Sequence, residues 1–232
     1  MNKPYDLVKR LLDIVFALVL LVLLGPFMLL TALLVKLTSP DGPVIYRAER
    51  TGRGGRPFHM VKFRTMVPNA DKIGSPVTVA GDPRITPIGR FLRLSKLDEF
   101  PQLWNVLKGD MSFVGPRPNV RFFTDKYTEA EAGLLSVPQG ITDYASLYFR
   151  RQEVMFSGSK DSIGDYELFV APLKVPLGLF YARTYSFGTD FKILIATVLA
   201  LFLKVDPRWC FPKELLQEIE PHEAQLRQAM NL

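Results

Sequence analysis

Cysteine and histidine are nearly absent: Cys210 is the single cysteine, and His59 and His222 are the only histidines. One cysteine closes no internal disulfide, which agrees with a reducing compartment. Three such residues so far apart exclude a Cys/His zinc site, so any metal bound here is held by oxygen. Repeats, low-complexity tracts and dividing linkers are also missing, and 232 residues suffice for one globular domain with a real core. No helix-turn-helix, zinc-finger or RNA-binding signature accompanies the formal net charge of +6 and the pI near 9.4. The excess charge therefore points away from nucleic acid and towards anionic lipid or a phosphorylated substrate.

Long apolar runs are scarce too, with one exception. Ile14 to Val35 carries no charge and is flanked by Lys9, Arg10 and Asp13 on one side and Lys36 on the other. About 20 such residues cross a bilayer. The run is too long for the core of a signal peptide, and no small-residue cleavage motif follows it. Gly25-Pro26 lies near its middle, where proline removes a helix hydrogen bond and bends the helix. Basic residues at both ends pull both towards the cytoplasm, which a hairpin-like dip satisfies better than a straight span. Both remain open on this pattern. Ile193 to Leu203 is too short to span, and packs internally or lies at the interface. Tyr166 to Phe191 mixes aromatics and leucines with Lys174, Arg183 and prolines. That mixture suits either a lipid headgroup layer or a core element with a basic face.

Between these segments, Pro40-Asp41-Gly42-Pro43 marks a turn, and Val44-Ile45-Tyr46 and Phe58 to Phe63 read as the strands of a hairpin. Its connector, Thr51 to Pro57, is glycine-rich and basic but lacks the Gly-Lys-Ser/Thr ending of a P-loop, and reads as a mobile loop. Lys62 and Arg64 fall on one strand face, from which both reach one anion or simply meet solvent. Met66 to Ala80 reads as loop, Ile88 to Leu94 and Tyr127 to Leu135 as short helices, and Pro212 to Leu232 as an amphipathic tail. Pro116 and Pro118 hold Arg117 in an extended, rigid setting suited to clamping phosphate.

The densest chemistry lies in Arg93-Leu94-Ser95-Lys96-Leu97-Asp98-Glu99-Phe100-Pro101. With Pro101 in a first turn and Leu103, Trp104, Val106 and Leu107 on one face before Gly109, a helix begins at the two acids. A helix amino end favours an ionised carboxylate or a bound phosphate. Adjacent positions point about 100° apart, so one acid attacks a phosphoryl group while the other positions a metal. Ser95 and Asp98 equally spell a capping box. Arg84, Arg90, Arg93 and Lys96 before the pair, and Lys108, Arg117 and Arg121 after it, favour an anionic ligand.

Lys62-Phe63-Arg64-Thr65-Met66, Leu97-Asp98-Glu99, and the run from Asn105-Val106-Leu107-Lys108-Gly109-Asp110 to Met111-Ser112-Phe113-Val114-Gly115-Pro116-Arg117-Pro118, together with the broken anchor, strongly resemble the bacterial sugar transferases, or monotopic phosphoglycosyl transferases. The resemblance covers nearly all of residues 1–205 and is to the small, catalytic-domain-only form. It implies an α/β (α+β), mostly helical monotopic membrane protein. Its parts would be a re-entrant helix over 1–38 broken at Gly25-Pro26 and a catalytic domain over 39–205 with a small hairpin and interfacial helices. The amphipathic tail over 206–232 has no counterpart in the smallest members and stands outside the resemblance.

The implied reaction moves a sugar phosphate from a UDP-sugar to undecaprenyl phosphate at the cytoplasmic leaflet of the bacterial inner membrane, with Mg2+ and release of UMP. Asp98 would be the nucleophile, Asp98 or Glu99 the metal ligand, Lys62, Arg93 and Arg117 the phosphate holders, and Arg150 an arginine after the family's Gly-Ile-Thr. Relatives often carry Ser-Pro where this chain has Gly25-Pro26. Many also continue Gly-Ile-Thr-Gly-Trp-Ala-Gln, whereas this chain has Gln139-Gly140-Ile141-Thr142-Asp143-Tyr144-Ala145-Ser146. Expected partners are the UDP-sugar, the polyprenyl phosphate, membrane lipid and, through the tail, a second copy. A silent membrane scaffold and an anionic-lipid-binding protein are the competing readings.

Overall fold

The computed structural model describes residues 4–75, 77–79, 81–150, 161–203 and 205–229. Arg151, which follows Arg150, and the last three residues of the tail lie outside them. The described residues are mostly helical, with two small sheets of two strands each among them.

Helix α1, Tyr5–Thr38, is one element: Pro26 lies inside it, and Gly25-Pro26 does not divide it. A proline forfeits one backbone bond, and the turns on either side still carry the helix. Thirty-four residues at 1.5 Å each reach about 51 Å, well beyond a hydrocarbon core of about 30 Å. Among the described residues it is the one helix long and apolar enough to cross a membrane. Its middle is bare, with Val22 at 77% and Leu29 at 75% exposure. Its ends are not. Lys9, Asp13 and Ala17, spaced by four, are buried at one end, and Thr31 and Val35 at the other.

Ala17 packs with Met60, Val106 and Met111, and Val35 with Phe63 and Leu92. Polar contacts fix the first end. Lys9 pairs with buried Asp190, which also accepts hydrogen bonds from Tyr5 at 2.9 Å and Tyr181 at 2.7 Å. Arg10 donates to the Leu107 carbonyl at 2.7 Å, at the carboxyl end of the helix Gln102–Lys108.

The hairpin forms as predicted but is longer: β1, Ile45–Thr51, pairs antiparallel with β2, Pro57–Phe63, with Tyr46 opposite Lys62 and Arg50 opposite Phe58. Its connector is a tight turn closed by Gly52 N–H to the Arg56 carbonyl at 2.8 Å. Gly54 at φ 67° supplies the left-handed residue that the turn requires. Along β2, Phe58 and Met60 alternate inwards, and Lys62 follows on the same face.

Next come α2, Pro87–Ser95, α3, Gln102–Lys108, and β3, Met111–Val114. The strand β3 lies parallel to β4, Gln139–Thr142. This second sheet was not foreseen, since strands of four residues separated by a long connection leave little periodicity to read. Between them, α4 spans Arg121–Thr124, and the helix predicted over Tyr127 to Leu135 is a 3-10 turn at Glu131–Leu135.

The remaining α-helices among the described residues are α5, Tyr144–Tyr148, α6, Ser162–Asp165, α7, Ala171–Thr184, α8, Phe187–Phe202, and α9, Lys213–Ala229. They enclose the main core, in which Tyr144, Leu177, Tyr181, Ile193, Leu215 and Ile219 are almost wholly buried. Tyr144 sits against Phe211 at 5.1 Å between ring centroids. Of the two readings open for Tyr166 to Phe191, core packing prevails from Val170 to Tyr185, while Phe187 and Phe191 are exposed. Ile193 to Leu203 does both: Ile193, Ala196 and Ala200 face inwards and Leu201, Phe202 and Leu203 outwards. Leu215, Ile219 and Leu226 bury the apolar side of the tail in this same core, which leaves those three side chains unavailable to a membrane.

Candidate active site

Helix α2 ends at Ser95, whose hydroxyl donates back to the Phe91 carbonyl at 2.9 Å. That contact replaces the predicted capping box: Ser95 closes one helix rather than opening the next. Lys96 then takes a left-handed conformation at φ 59°, and Leu97–Glu99 forms a single 3-10 turn before α3, whose N-cap is Pro101. The acids thus precede the helix instead of beginning it. The left-handed residue swings the chain inwards, so Asp98 is 5% exposed. On α3, Leu103 and Val106 are buried as predicted, but Trp104 is 57% exposed and Asn105 takes its inward place. The Asn105 amide accepts from Val61 N–H at 2.9 Å and donates to the His59 carbonyl at 2.7 Å. It thereby fixes α3 to β2, the strand that carries Lys62.

Cations rather than a helix dipole set the electrostatics. Glu99 accepts a hydrogen bond from the Arg117 guanidinium and lies 3.7 Å from the Lys62 ammonium. Burial alone would raise the Glu99 carboxyl, but Arg117 and then Lys62 hold it far below the usual carboxylate range. Asp98 shifts the opposite way. Burial raises its carboxyl, the Glu99 charge adds to this, and Lys62, Lys96 and Arg93 oppose it. Its Oδ1 is buried without a hydrogen-bond partner. Burial also pushes the Lys62 ammonium down to about 8, against the pull of Glu99. Two neighbouring acids therefore have distinct characters: one locked in ion pairs, the other more basic and unengaged.

Arg117 is held from three directions. Its guanidinium donates to the Ile141 carbonyl at 2.9 Å as well as to Glu99, and its backbone N–H donates to Asp143 at 3.3 Å. Asp143 also caps α5 through Ser146 N–H at 2.7 Å. The close approach beneath it needs glycine: a Cβ on Gly140 would stand 2.1 Å from the Gly115 nitrogen.

Four of the predicted cations thus gather at the acids: Lys62, Arg93, Lys96 and Arg117. Arg93 also donates to Thr65 Oγ1 at 3.1 Å. The others are used elsewhere. Arg64 is buried, and its described hydrogen bond runs to the Ser39 carbonyl at the end of α1, because Arg64 lies beyond the last residue of β2. Arg150 donates to the Ala200 carbonyl at 2.8 Å. Arg84 pairs with Asp82 at 2.6 Å, Lys108 with Asp110 at 3.1 Å, and Arg121 with Asp125 at 3.2 Å.

Three residues escaped the sequence reading. Arg50 faces Lys62 and Arg117, and burial together with Arg117 lowers its guanidinium; extending the hairpin register by a few residues would have found it. Asp143 was noted only as a departure from a motif, although Asp before a short helix is a cap signal. Gln102 is fully buried one residue after Pro101, and neither of its amide atoms has a partner; no pattern announces it. The assembled cluster places Arg50, Lys62, Arg93, Lys96 and Arg117 around two acids. Such an excess of like charge calls for a polyanionic ligand.

The family model described as bacterial sugar transferase matches residues 4–204. The chain belongs to the bacterial sugar transferase family. A UDP-glucose:undecaprenyl-phosphate glucose-1-phosphate transferase of Caulobacter vibrioides is 38% identical over 84% of this chain and 70% of its own length. A protein of the same name from Escherichia coli K12 is 40% identical over 85% of this chain, but only 40% of its own length is matched. A putative undecaprenyl-phosphate N-acetylgalactosaminyl 1-phosphate transferase of Bacillus subtilis is 47% identical over 53% of this chain and 68% of its own length. Among the described residues of this bacterial sugar transferase, no three His, Cys, Asp or Glu side chains cluster as a metal cage. The unpartnered Asp98 Oδ1 beside Glu99 suits a different arrangement, in which one or two carboxylates share a hard cation with substrate phosphates.

Proposed function

We propose that the chain transfers a sugar 1-phosphate from a UDP-sugar to undecaprenyl phosphate, releasing UMP, through a phosphosugar bound covalently to Asp98. The observation that carries this is the contrast within the acidic pair: Asp98 has a raised carboxyl and an unpaired oxygen, whereas Glu99 is committed to Arg117 and Lys62. A carboxylate tied up in ion pairs is a poor nucleophile, and an unengaged, more basic one is a better nucleophile.

In the first half-reaction an Asp98 oxygen attacks the sugar-bearing phosphorus, and the bond to the UMP oxygen breaks. In the second, an oxygen of undecaprenyl phosphate attacks the same phosphorus and frees the carboxylate. Lys62, Arg93 and Arg117 hold the diphosphate oxygens and the charge that develops on them. Asp98 and the second carboxylate oxygen of Glu99, whose Oε1 is the one that meets Arg117 and Lys62, would hold Mg2+. The ion would neutralise charge on the diphosphate and on the departing UMP. Splitting the transfer spares the enzyme from driving two phosphates together unaided.

The packing of α1 supports the membrane arrangement that this reaction needs. Both of its ends pack on the same domain while its middle is bare and apolar. A helix crossing the bilayer would put its ends on opposite sides, so this packing supports a dip into one leaflet, which we assign to the cytoplasmic leaflet of the inner membrane. The polyprenyl phosphate then meets the cations at the surface, and its product is the first lipid-linked sugar of a bacterial glycan.

The test is UMP release by nanodisc-embedded protein given Mg2+, undecaprenyl phosphate and a panel of UDP-sugars. Lipid-dependent UMP from one donor is expected; silence with every donor would favour a scaffold. Lys62 adds a pH prediction. With its ammonium at about 8, it is charged below that pH and neutral above, so kcat/KM should fall as pH rises through about 8. Lys62→Arg keeps its charge, and its profile should lose that alkaline limb even at a lower maximum. An unchanged limb in the variant would assign it to another group.

A further inference from the structure

A cavity of about 270 Å³ is lined in part by Arg117, the residue whose guanidinium donates to Glu99. Its walls come from α4, the 3-10 turn after it, β4 and α7. They carry charges of both signs: Lys126 and Glu167, paired at 2.6 Å, together with Lys174, Glu131 and Asp143. A diphosphate would meet those carboxylates at a cost, whereas a neutral, hydroxyl-bearing ligand donates to acids and accepts from amines. One side is aromatic, with the rings of Phe123 and Tyr166 4.6 Å apart. The polar groups are already set in place. Lys174 donates to Asn119 at 2.9 Å and to the Tyr166 hydroxyl at 3.1 Å, and Asn119 donates to the Tyr127 hydroxyl at 2.7 Å.

We propose that this cavity houses the sugar of the donor, a neutral hexose or N-acetylhexosamine, with Asn119, Lys174 and Glu131 reading its hydroxyls and Phe123 and Tyr166 covering its C–H face. The inference rests on the reaction proposed above and names where its specificity lies. It also fits the order of events. In a two-step transfer UMP must leave and a lipid phosphate must take its place, while the sugar stays through both halves. The group that stays needs the walled site, and Arg117 joins that site to the phosphorus under attack.

Nanodisc-embedded Asn119→Ala and Lys174→Met, checked for unchanged melting temperature, are compared with the parent protein for the donor it turns over, UDP-glucose and UDP-N-acetylgalactosamine being tried first. Loss of one such hydrogen bond should raise donor KM about tenfold with the inhibition constant of UMP unchanged. Saturation-transfer NMR on Asp98→Asn, which does not consume the donor, should show sugar protons in contact with protein, and that contact should weaken when Lys174→Met is added. A matching rise in the UMP constant would make the cavity a uridine site and overturn the proposal. No change in KM, UMP inhibition or sugar contact would overturn it outright. Sugar contact without turnover of any donor would sustain the cavity assignment and sink the proposed reaction instead.

Discussion

Asp98→Asn is expected to abolish UMP release, lowering turnover on the order of 10³-fold or more, with the fold intact. The carboxamide keeps the shape of the side chain but removes the charge and the oxygen proposed to attack phosphorus. Asp98 Oδ1 makes no hydrogen bond whose loss would destabilise the chain, and removing a buried charge relieves desolvation rather than adding to it. Melting temperature should therefore hold or rise slightly. Glu99→Gln behaves differently: it strips Arg117 and Lys62 of their shared partner, so activity falls and stability falls with it. Radiolabelled donor supplies the decisive readout. Label from the sugar phosphate should stay on the parent protein when the polyprenyl phosphate is withheld, and none should stay on Asp98→Asn. Near-normal turnover by Asp98→Asn would replace the covalent path with direct transfer between the two substrates.

The parts legible from sequence were those carried by composition and local rules. An uncharged run ended by Lys36 and Pro40 announced α1, and alternation along Phe58 to Lys62 announced β2. Asp98, Lys62 and Arg117, distant in sequence, were each singled out, and the structure brings them together. Roles that depend on the exit of an element were less legible. Arg64 shares the parity of Lys62, yet one residue past the strand end the chain turns and the side chain follows it to Ser39. Ser95 fits a capping box by spacing, but the left-handed Lys96 makes it the last residue of one helix. Trp104 and Asn105 exchange faces because α3 is short and buried on one side by a hydrogen-bonded amide rather than by a large ring. Pairings between distant segments, β3 with β4 above all, leave no local periodicity. That both ends of α1 are buried while its middle is bare is information that hydropathy does not contain.

Arg117→Met is expected to cost both stability and activity, and the two losses are separable. Removing the guanidinium leaves Glu99 mostly buried with the more distant Lys62 and the Lys96 charge to compensate. Breaking such a pair costs about 3 kcal/mol, the lower end of the range for buried pairs, because both side chains retain some exposure. The stabilisation lost belongs to a carboxyl held far below its ordinary value of 4.5. It is fully present above that value and disappears only as the pH falls through the depressed one. The gap between parent and variant should therefore be widest at neutral pH and narrow on acidification below about 4.5. Adding Glu99→Gln to Arg117→Met removes the stranded charge, so the double variant should recover much of the stability in denaturant titrations. Its turnover should not recover, since the phosphate has lost its clamp either way. A double variant no more stable than Arg117→Met would mean that Arg117 acts through Ile141 and the β3–β4 layer rather than through Glu99. A double variant with restored turnover would remove Arg117 from phosphate binding altogether.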